Sequence, residues 1–465
     1  MGGLKTIWAL ALLLVLGVAG TEPAGADTLA DTLVAAYRNS NLLEQNRALL
    51  RASDEDVQQS IAALYPVVTF AMSALTNSAG APDYRLSMGL SASMPLYDFG
   101  RGRLAVDQAR AAVLATRSAL VVIEQNVLLS SVQAHMALFT ARQRLELQRN
   151  NVSVIGEQLR AARERFELGD STRTDVALAE ARLAAARSAL ASAEGDVAIS
   201  REQFNLVVGQ YPNGVAPPPS LPRLPASLEA AQDIARRNHP AIAQAQHQVT
   251  AQDIAAEIVG RQRLGTVSGS LSADARTSRI SPLPETSSAD LTASVTYSAQ
   301  LFNGGRLQSA ERQAVARGQA QRAALHQTLA IVQQSVAANW ARLQIARATA
   351  LASDQQIAAA QAAYDAVSAE AELGSRTTLD VLDAEQDLLD ARSARIQAAA
   401  NVQTAAYALL ESTGQMTVRS LGLGIATYDV EAYSSGFNPG PAPVTSVQGR
   451  RLDRIMERYQ GSDGP

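Results

Sequence analysis

The sequence contains no cysteine. Disulfides, thiolate metal sites, cysteine nucleophiles and lipidation of an N-terminal cysteine are therefore excluded. Lys5 is the only lysine, and a net charge of -4 leaves no basic excess for a nucleic-acid partner. His135, His239, His247 and His326 lie at no metal-ligand spacing, and no phosphate-binding or nucleophile motif is present. We expect neither an enzyme nor a bound metal or cofactor.

Long apolar runs are also scarce after the first residues. Residues 1–26 have the form of a secretory signal peptide, with Lys5, an apolar run from Ile7 to Ala19 and the small-residue site Ala24-Gly25-Ala26. We expect cleavage after Ala26, because the run is too short for a membrane anchor. Beyond it, no stretch approaches the roughly 18 uncharged apolar residues of a spanning helix. A membrane-spanning segment, if present, is therefore expected to be β.

An internal duplication organises the rest of the chain. Residues 96–101 recur at 301–306, and the shift of 205 residues continues through residues 209 and 414. Further upstream the shift is 199. We expect repeat 1 over residues 27–211, a proline-rich linker over 212–226, repeat 2 over 227–415 and a peripheral C-terminal segment over 416–465.

Each repeat contains one predicted strand pair. Residues 85–96 and 291–301 alternate apolar and polar side chains with a period of two. Shorter β-rich pieces precede them, at Val67 to Leu75 and Val267 to Ala275. About ten residues suffice for a tilted transmembrane strand, but a soluble sandwich strand shows the same alternation. The long helices that follow each pair favour the membrane interpretation.

Heptads predict those helices. Only 4% of residues are aromatic, so the apolar content is mostly alanine, leucine and valine, which favours long, closely packed helices. Residues 103–166 contain no proline and carry apolar residues every seven positions from Leu138 to Phe166, a coiled-coil spacing that repeat 2 keeps. Each long helix is expected to end at Gly169 or Gly374 and to be followed by a second of about 40 residues. A helix is expected before each hairpin, from about Thr28 to Leu64 in repeat 1 and from about Leu228 to Leu264 in repeat 2.

Four strands cannot close a barrel, and open edges in lipid are costly, so a barrel must be shared between chains. Two chains would supply eight strands and three would supply twelve; the residues alone do not choose between them.

At this point the chain resembles the TolC family of outer-membrane factors over nearly all of its expected mature length, most specifically from Leu373 to Ala384. The resemblance implies an α+β membrane protein. Three chains would form a twelve-stranded β-barrel in the outer membrane of a Gram-negative bacterium, continued by a coiled-coil α-helical barrel through the periplasm. It also implies a periplasmic adaptor and an inner-membrane transporter, of the ABC or RND type, as partners. The cargo, proteins or small molecules such as drugs, is left open.

The resemblance also assigns roles to residues. Asp380 and Asp383 match carboxylates that ring the periplasmic aperture, and Arg376 matches the arginine that holds the aperture shut by links to Thr174 and Asp175. Ala371 stands where the family prototype has a tyrosine that adds another link. The helix tips are the expected adaptor-docking surface, comprising Gly169, Asp170, Ser171, Gly374 and Ser375.

Two alternatives remain at this stage. Asp380 and its neighbours could simply stabilise a helix N-terminus, where the helix dipole favours a carboxylate. The chain as a whole could be a periplasmic coiled-coil adaptor or bridging protein, although such an adaptor would have a single helical hairpin rather than two repeats.

Overall fold

The computed structural model describes residues 26–77, 83–169, 171–279 and 284–430, with the side chains of Asn77 and Asp83 excepted. The expected signal peptide up to residue 25, Asp170 and the tail beyond residue 430 lie outside these ranges. The contacts described below all lie within the unit that ends at Thr427.

The first half of the chain alternates helices with one strand pair. Its elements are α1 (Leu29–Asn39), α2 (Asn41–Ala62), β1 (Val67–Asn77), β2 (Asp83–Tyr97), α3 (Arg101–Leu168) and α4 (Arg173–Val208). The second half has the same order after the proline-rich stretch. Its elements are α5 (Leu228–Asn238), α6 (Pro240–Arg261), a 3-10 turn (Gln262–Leu264), β3 (Thr266–Arg279), β4 (Thr286–Ser298), α7 (Arg306–Glu372) and α8 (Thr378–Ser412).

The expectation of one continuous helix before each hairpin was wrong. The first is interrupted at Ser40, whose extended backbone lets its side chain cap α2 by accepting the Leu43 N–H. The second is interrupted at His239, because the ring of Pro240 disfavours a helical conformation in the preceding residue. Pro240 then occupies the first turn of α6, where a missing N–H costs nothing.

The four strands form one antiparallel sheet in the order β1-β2-β3-β4. Every strand extends beyond its predicted segment. β4 begins earlier, at Thr286, but it ends at Ser298 and leaves the predicted Ala299 and Leu301 outside it. β1 and β4 are therefore the two edges, and each has one side without a neighbouring strand in the described residues.

The sheet has one apolar and one polar face. The register places apolar residues of all four strands side by side, as in the row Phe70, Leu90, Ala273 and Leu291. The other face carries mostly serine and threonine, as in the row Ser91, Ser272 and Thr292. The large apolar side chains of this sheet are exposed to the surroundings of the chain. An exposed apolar face backed by a polar one is the pattern of a barrel strand that meets lipid outside and water inside.

The two long helices form the core of the helical body. At 1.5 Å per residue, α3 and α7 each extend roughly 100 Å. α3 packs against α1, α2, α4, α6 and α8, and α7 packs against α5, α6 and α8. One buried cluster lies where α5 to α8 meet and is built from alanine and β-branched or leucine side chains: Ala231, Ala235, Ile242, Val332, Val336, Leu343, Ala406 and Leu409. Small residues at these positions allow helices to approach closely.

The short helices stack end to end. Asn39, at the end of α1, donates its side-chain N–H to the Val208 carbonyl at the end of α4, over 3.2 Å. Gly414, after α8, lies against the backbone of Asn238 and His239, so closely that an added Cβ would be 2.9 Å from the His239 Cα. These two contacts keep the shorter helices stacked end to end alongside each long helix.

One part of α3 is, on average, apolar enough to be considered as a membrane-spanning segment. An 18-residue window of this helix has a mean hydropathy of 1.4, and 33% of it is buried. Length and composition alone would allow it to cross a membrane. The packing of α3 against five other helices accounts for the same apolar residues as a helical core.

Candidate gate at the helix tips

Two tight turns end the helical body, one between α3 and α4 and one between α7 and α8. Gly169 and Gly374 adopt left-handed backbones with φ of 87° and 76°. Only glycine takes this conformation without strain, and it lets the turn satisfy the last carbonyls of the long helix. A Cβ at either glycine would meet nothing within 4 Å, so both turns protrude from the described part of the chain.

In the first turn, Asp175 forms a capping box with Thr172. The Asp175 carboxylate accepts the Thr172 N–H at 2.9 Å and the Thr172 hydroxyl at 2.8 Å, and Ser171 donates a further hydroxyl at 3.1 Å. The Thr172 backbone bond, followed by its hydroxyl bond, holds the pKa of Asp175 below its usual range. Thr174 is exposed in the first turn of α4.

The second turn repeats this arrangement with Asp380 and Thr377. The Asp380 carboxylate accepts both the Thr377 N–H and the Thr377 hydroxyl at 2.9 Å. The backbone bond, followed by the hydroxyl bond, lowers the pKa of Asp380. Asp380 thus lies in the first turn of α8, as the helix-dipole alternative expected, and also forms a hydrogen-bonded cap.

Arg376 directly precedes the cap residue Thr377, and its hydrogen bond goes to neither cap. Its Nε donates to the Glu370 carboxylate at 2.8 Å, and that bond raises the pKa of the guanidinium. Ser375 also bonds to residue 370, through its hydroxyl and the Glu370 carbonyl at 2.8 Å. Among the described residues of one chain, the Arg376 side chain is therefore not brought to Thr174 or Asp175.

Asp383 joins the two repeats. Arg182 on α4 donates to the Asp383 carboxylate on α8 across 2.5 Å. Both side chains are partly exposed, so this ion pair contributes little to the free energy of unfolding. It does hold the positive charge of Arg182 beside the Asp383 carboxylate. Of the two predicted ring carboxylates, Asp380 thus caps a helix and Asp383 pairs with an arginine.

Glu385, one turn beyond Asp380, was missed by the sequence analysis. It is only 7% exposed, and its Oε2 is buried without a hydrogen-bond partner in the described residues. Burial raises its pKa to about 7. The sequence does contain a pattern that indicates this burial. The apolar stripe of the helix includes Val381, Leu382, Leu388 and Leu389, and Glu385 occupies the middle of that stripe.

Tyr364 on α7 faces this carboxyl. Burial, followed by the charge of Glu385, raises the pKa of the Tyr364 hydroxyl. Nearby, Leu382 packs with Ile155 of α3 and Ala186 of α4. The Glu385 carboxyl therefore lies in the packed bundle near Asp380 and Asp383.

Comparison with known proteins gives the family. The family model described as outer membrane efflux protein matches the chain twice, over residues 32–210 and 232–415. The outer membrane efflux protein BepC of Brucella suis is 35% identical over 435 residues, covering 92% of this chain and 94% of that protein. Protein CyaE of Bordetella pertussis is 30% identical and covers 83% of this chain and 84% of that protein. The crystal structure of CusC superposes with a TM-score of 0.74 at 21% identity, over 84% of this chain and 92% of that one.

These matches define an outer-membrane channel protein. The chain belongs to the outer membrane efflux protein family, the TolC family of outer-membrane factors. It is located in the outer membrane of a Gram-negative bacterium and extends into the periplasm. The matched relatives are channels rather than enzymes, which favours the channel over the periplasmic adaptor that the sequence left as an alternative.

Proposed function

We propose that three copies of this chain form one export channel, in which twelve strands close a barrel in the outer membrane and the helices continue it as a tunnel through the periplasm. The observation that carries this proposal is the sheet: four strands with two open edges, an exposed apolar face and a polar face. Open strand edges in lipid leave unpaired backbone groups that each cost several kcal/mol, on the order of the values known for buried polar groups. Sharing strands between chains removes those edges.

Substrates enter the tunnel from an inner-membrane transporter of the ABC or RND type, through a periplasmic adaptor. The chain has no ATP-binding motif, so energy must come from the transporter. The turns at Gly169 to Ser171 and Gly374 to Ser375 are the proposed docking surface, since Leu168 and Leu373 stand beside them as exposed apolar side chains. Asp170, also part of the predicted surface, lies outside the described residues.

The same tips form the proposed gate. Three copies of Asp380 and Asp383 would surround the channel axis, attract cations and narrow the opening. Arg376 would reach Thr174 or Asp175 of an adjacent tip in the closed trimer, exchanging its Glu370 partner for that link. A charge-assisted hydrogen bond of this kind contributes roughly 1.5 to 3 kcal/mol, so three of them could hold the tips together.

Planar-bilayer recording tests the proposal. We expect discrete channel openings from the purified protein, and larger resting conductance from Arg376→Ser because the closing links are lost. Arg173→Ser is a matched control, since Arg173 is an exposed arginine in the other turn. Absence of any conductance from correctly inserted protein would contradict the channel. Equal resting conductance in Arg376→Ser and Arg173→Ser would contradict the gate while leaving the channel in place.

A further inference from the structure

A cavity of about 560 Å³ lies at the joint between β2 and α3, where the sheet meets the helical body. Apolar and aromatic side chains line it together with two arginines; they include Met94, Leu96, Tyr97, Phe99, Arg103 and Arg261. A cavity that combines apolar walls with guanidinium groups suits a ligand that has both an apolar part and a negative charge.

Arg103 is the charged group of this cavity that lacks a partner. It is exposed in the first turn of α3 and makes no hydrogen bond or ion pair with any other residue that the structure describes. Asp98, which also lines the cavity, is held by the backbone: its carboxylate accepts the Gly100 N–H at 3.0 Å and the Gly102 N–H at 2.6 Å. The start of α3 is therefore capped from within the chain, whereas the Arg103 guanidinium is available to a ligand.

Arg261 adds a second positive charge from the other repeat. Its guanidinium lies at the end of α6, donates to the Phe99 carbonyl at 3.0 Å and also donates to the Glu257 carboxylate. Glu257 offsets part of this charge, so Arg261 mainly fixes the wall of the cavity. Arg103 keeps its N–H groups free, and a guanidinium of this kind binds phosphate oxygens with two parallel hydrogen bonds.

Phe99 forms an aromatic wall at the cost of backbone strain. Among the described residues it is the only one other than glycine with a positive φ, 59°, and its counterpart in repeat 2 is Gly304 with φ of 64°. A bulky side chain rarely adopts this conformation. The Phe99 ring packs edge-on against Tyr97, with the ring centroids 4.8 Å apart. Aromatic rings line the boundary between lipid and water in transmembrane barrels, which is where this joint lies.

An apolar groove of about 400 Å³ adjoins the cavity on the sheet. Met94 and Leu96 line both, so the two are continuous. Small residues leave room along the groove, which is also lined by Ala92, Gly269 and Ala293. The groove lies over the inner strands β2 and β3 and reaches β4, on the apolar face of the sheet. A charged cavity that continues into an apolar groove matches the shape of a lipid.

We propose that this cavity and groove bind one phospholipid per chain, from the periplasmic leaflet of the outer membrane. Arg103, beside Arg261, holds the phosphate, and an acyl chain lies in the groove. The helical body extends into the periplasm, so the joint faces that leaflet. Charge complementarity and the continuity of the groove with the lipid-facing side of the sheet favour this occupant. The inference rests on the proposed barrel in one respect, that the apolar face of the sheet meets lipid.

Repeat 2 lacks the residues that would hold a second headgroup. At the shift of 205 residues, Gln308 stands where Arg103 does. At the shift of 199, Ala62 stands where Arg261 does. The expected stoichiometry is therefore one phospholipid per chain rather than two.

Native mass spectrometry of the delipidated, detergent-solubilised protein tests the site. The probes are dioleoyl phosphatidylglycerol, dioleoylglycerol with the same acyl chains but no phosphate, and inorganic phosphate as a competitor without acyl chains. We expect saturable retention of one phosphatidylglycerol per chain, much weaker retention of dioleoylglycerol, and no displacement by inorganic phosphate.

Three variants separate the headgroup from the groove. Arg103→Gln, which introduces the residue found at the second joint, should weaken phosphatidylglycerol retention about tenfold, the effect of one lost charge-assisted hydrogen bond. Arg317→Gln is the matched control, because Arg317 is an exposed arginine three turns along α7. Ala293→Leu fills the groove without changing charge and should weaken retention of both diacyl probes.

Equal retention of phosphatidylglycerol in Arg103→Gln and Arg317→Gln, or equal retention of the two diacyl probes by the wild type, would overturn the phosphate site. Displacement of phosphatidylglycerol by inorganic phosphate would show a site for free phosphate and overturn the lipid. Planar-bilayer conductance of the same samples separates this inference from the proposed function. Conducting protein that retains no phospholipid would overturn the site alone, and lipid-binding protein without conductance would contradict the channel alone.

Discussion

Arg182 and Asp383 lie 201 positions apart in the sequence, yet their side chains form a 2.5 Å ion pair that joins the α3–α4 tip to the α7–α8 tip. The Arg182 guanidinium neutralises part of the negative charge that the sequence-based interpretation assigns to the aperture carboxylates. A ring built from Asp383 is thus weaker toward cations than the carboxylates would be without Arg182.

Arg182→Ala should therefore strengthen block by a trivalent cation from the periplasmic side, because the Asp383 carboxylates lose their paired charge. We expect several-fold tighter block in single-channel recordings. Arg187→Ala, at an exposed arginine of the same helix, is the matched control. The double change Asp380→Asn with Asp383→Asn should abolish most of the block. If that double variant remains blocked as strongly as the wild type, the cation site lies away from these residues.

Thr377 should set the pH at which the block is lost. Its N–H and hydroxyl lower the pKa of Asp380, so the carboxylate stays charged above that lowered value and loses its charge only as the pH falls through it. Thr377→Val removes the hydroxyl bond and should move the loss of block to higher pH. Thr378→Val is the neighbouring control. An unchanged pH dependence in Thr377→Val would show that Asp380 does not carry the block.

Glu385 should make the tip bundle less stable as the pH rises. Its pKa is raised by burial to about 7, so the folded bundle binds a proton that the unfolded chain has released. The contribution of Glu385 to the free energy of unfolding is thus greatest below about pH 4.5 and is lost as the pH rises through about 7, with a size on the order of 3 kcal/mol per chain. Glu385→Gln keeps the side-chain shape and should remove this dependence.

The measurement is hydrogen exchange of the first half of α8 at several pH values between 5 and 8. Asp387→Asn is the control, because Asp387 is exposed two residues further along the same helix. Equal pH dependence in the wild type and in Glu385→Gln would mean that Glu385 ionises freely in the folded protein.

Gly169 and Gly374 should be required for export but not for assembly. A β-branched residue at φ of 87° or 76° strains the turn and adds bulk to the proposed docking surface. Gly169→Val and Gly374→Val should abolish export while the protein still reaches the outer membrane as an oligomer. Gly195→Val, within α4 and also in open space, is the control for added bulk. Normal export in both tip variants would argue against docking at these turns.

The long helices and the strand pairs could be predicted because their evidence is local. Heptad spacing without proline predicted α3, and the two-residue alternation predicted β2 and most of β4. The breaks at Ser40 and His239 also have local causes, a capping serine and Pro240, but neither residue interrupts the helical pattern strongly enough to fix a break from the sequence.

The chemistry of the tips could be predicted only in part. The two glycine caps followed from their position after long helices, and the place of Asp380 at a helix N-terminus was one of the two interpretations offered. The capping box with Thr377 was found only in the structure. The Arg182–Asp383 pair could not be predicted, since it depends on how two distant helices pack. The burial of Glu385 likewise depends on packing, with α7 and its Tyr364 on the facing side.

The mass of the detergent-solubilised complex tests the central claim most directly, because the open edges of the sheet must be closed by other copies of the chain. Native mass spectrometry should give three chains per particle, with no stable monomer under conditions that keep the sheet folded. A folded monomer or dimer as the main species would contradict a channel assembled from shared strands.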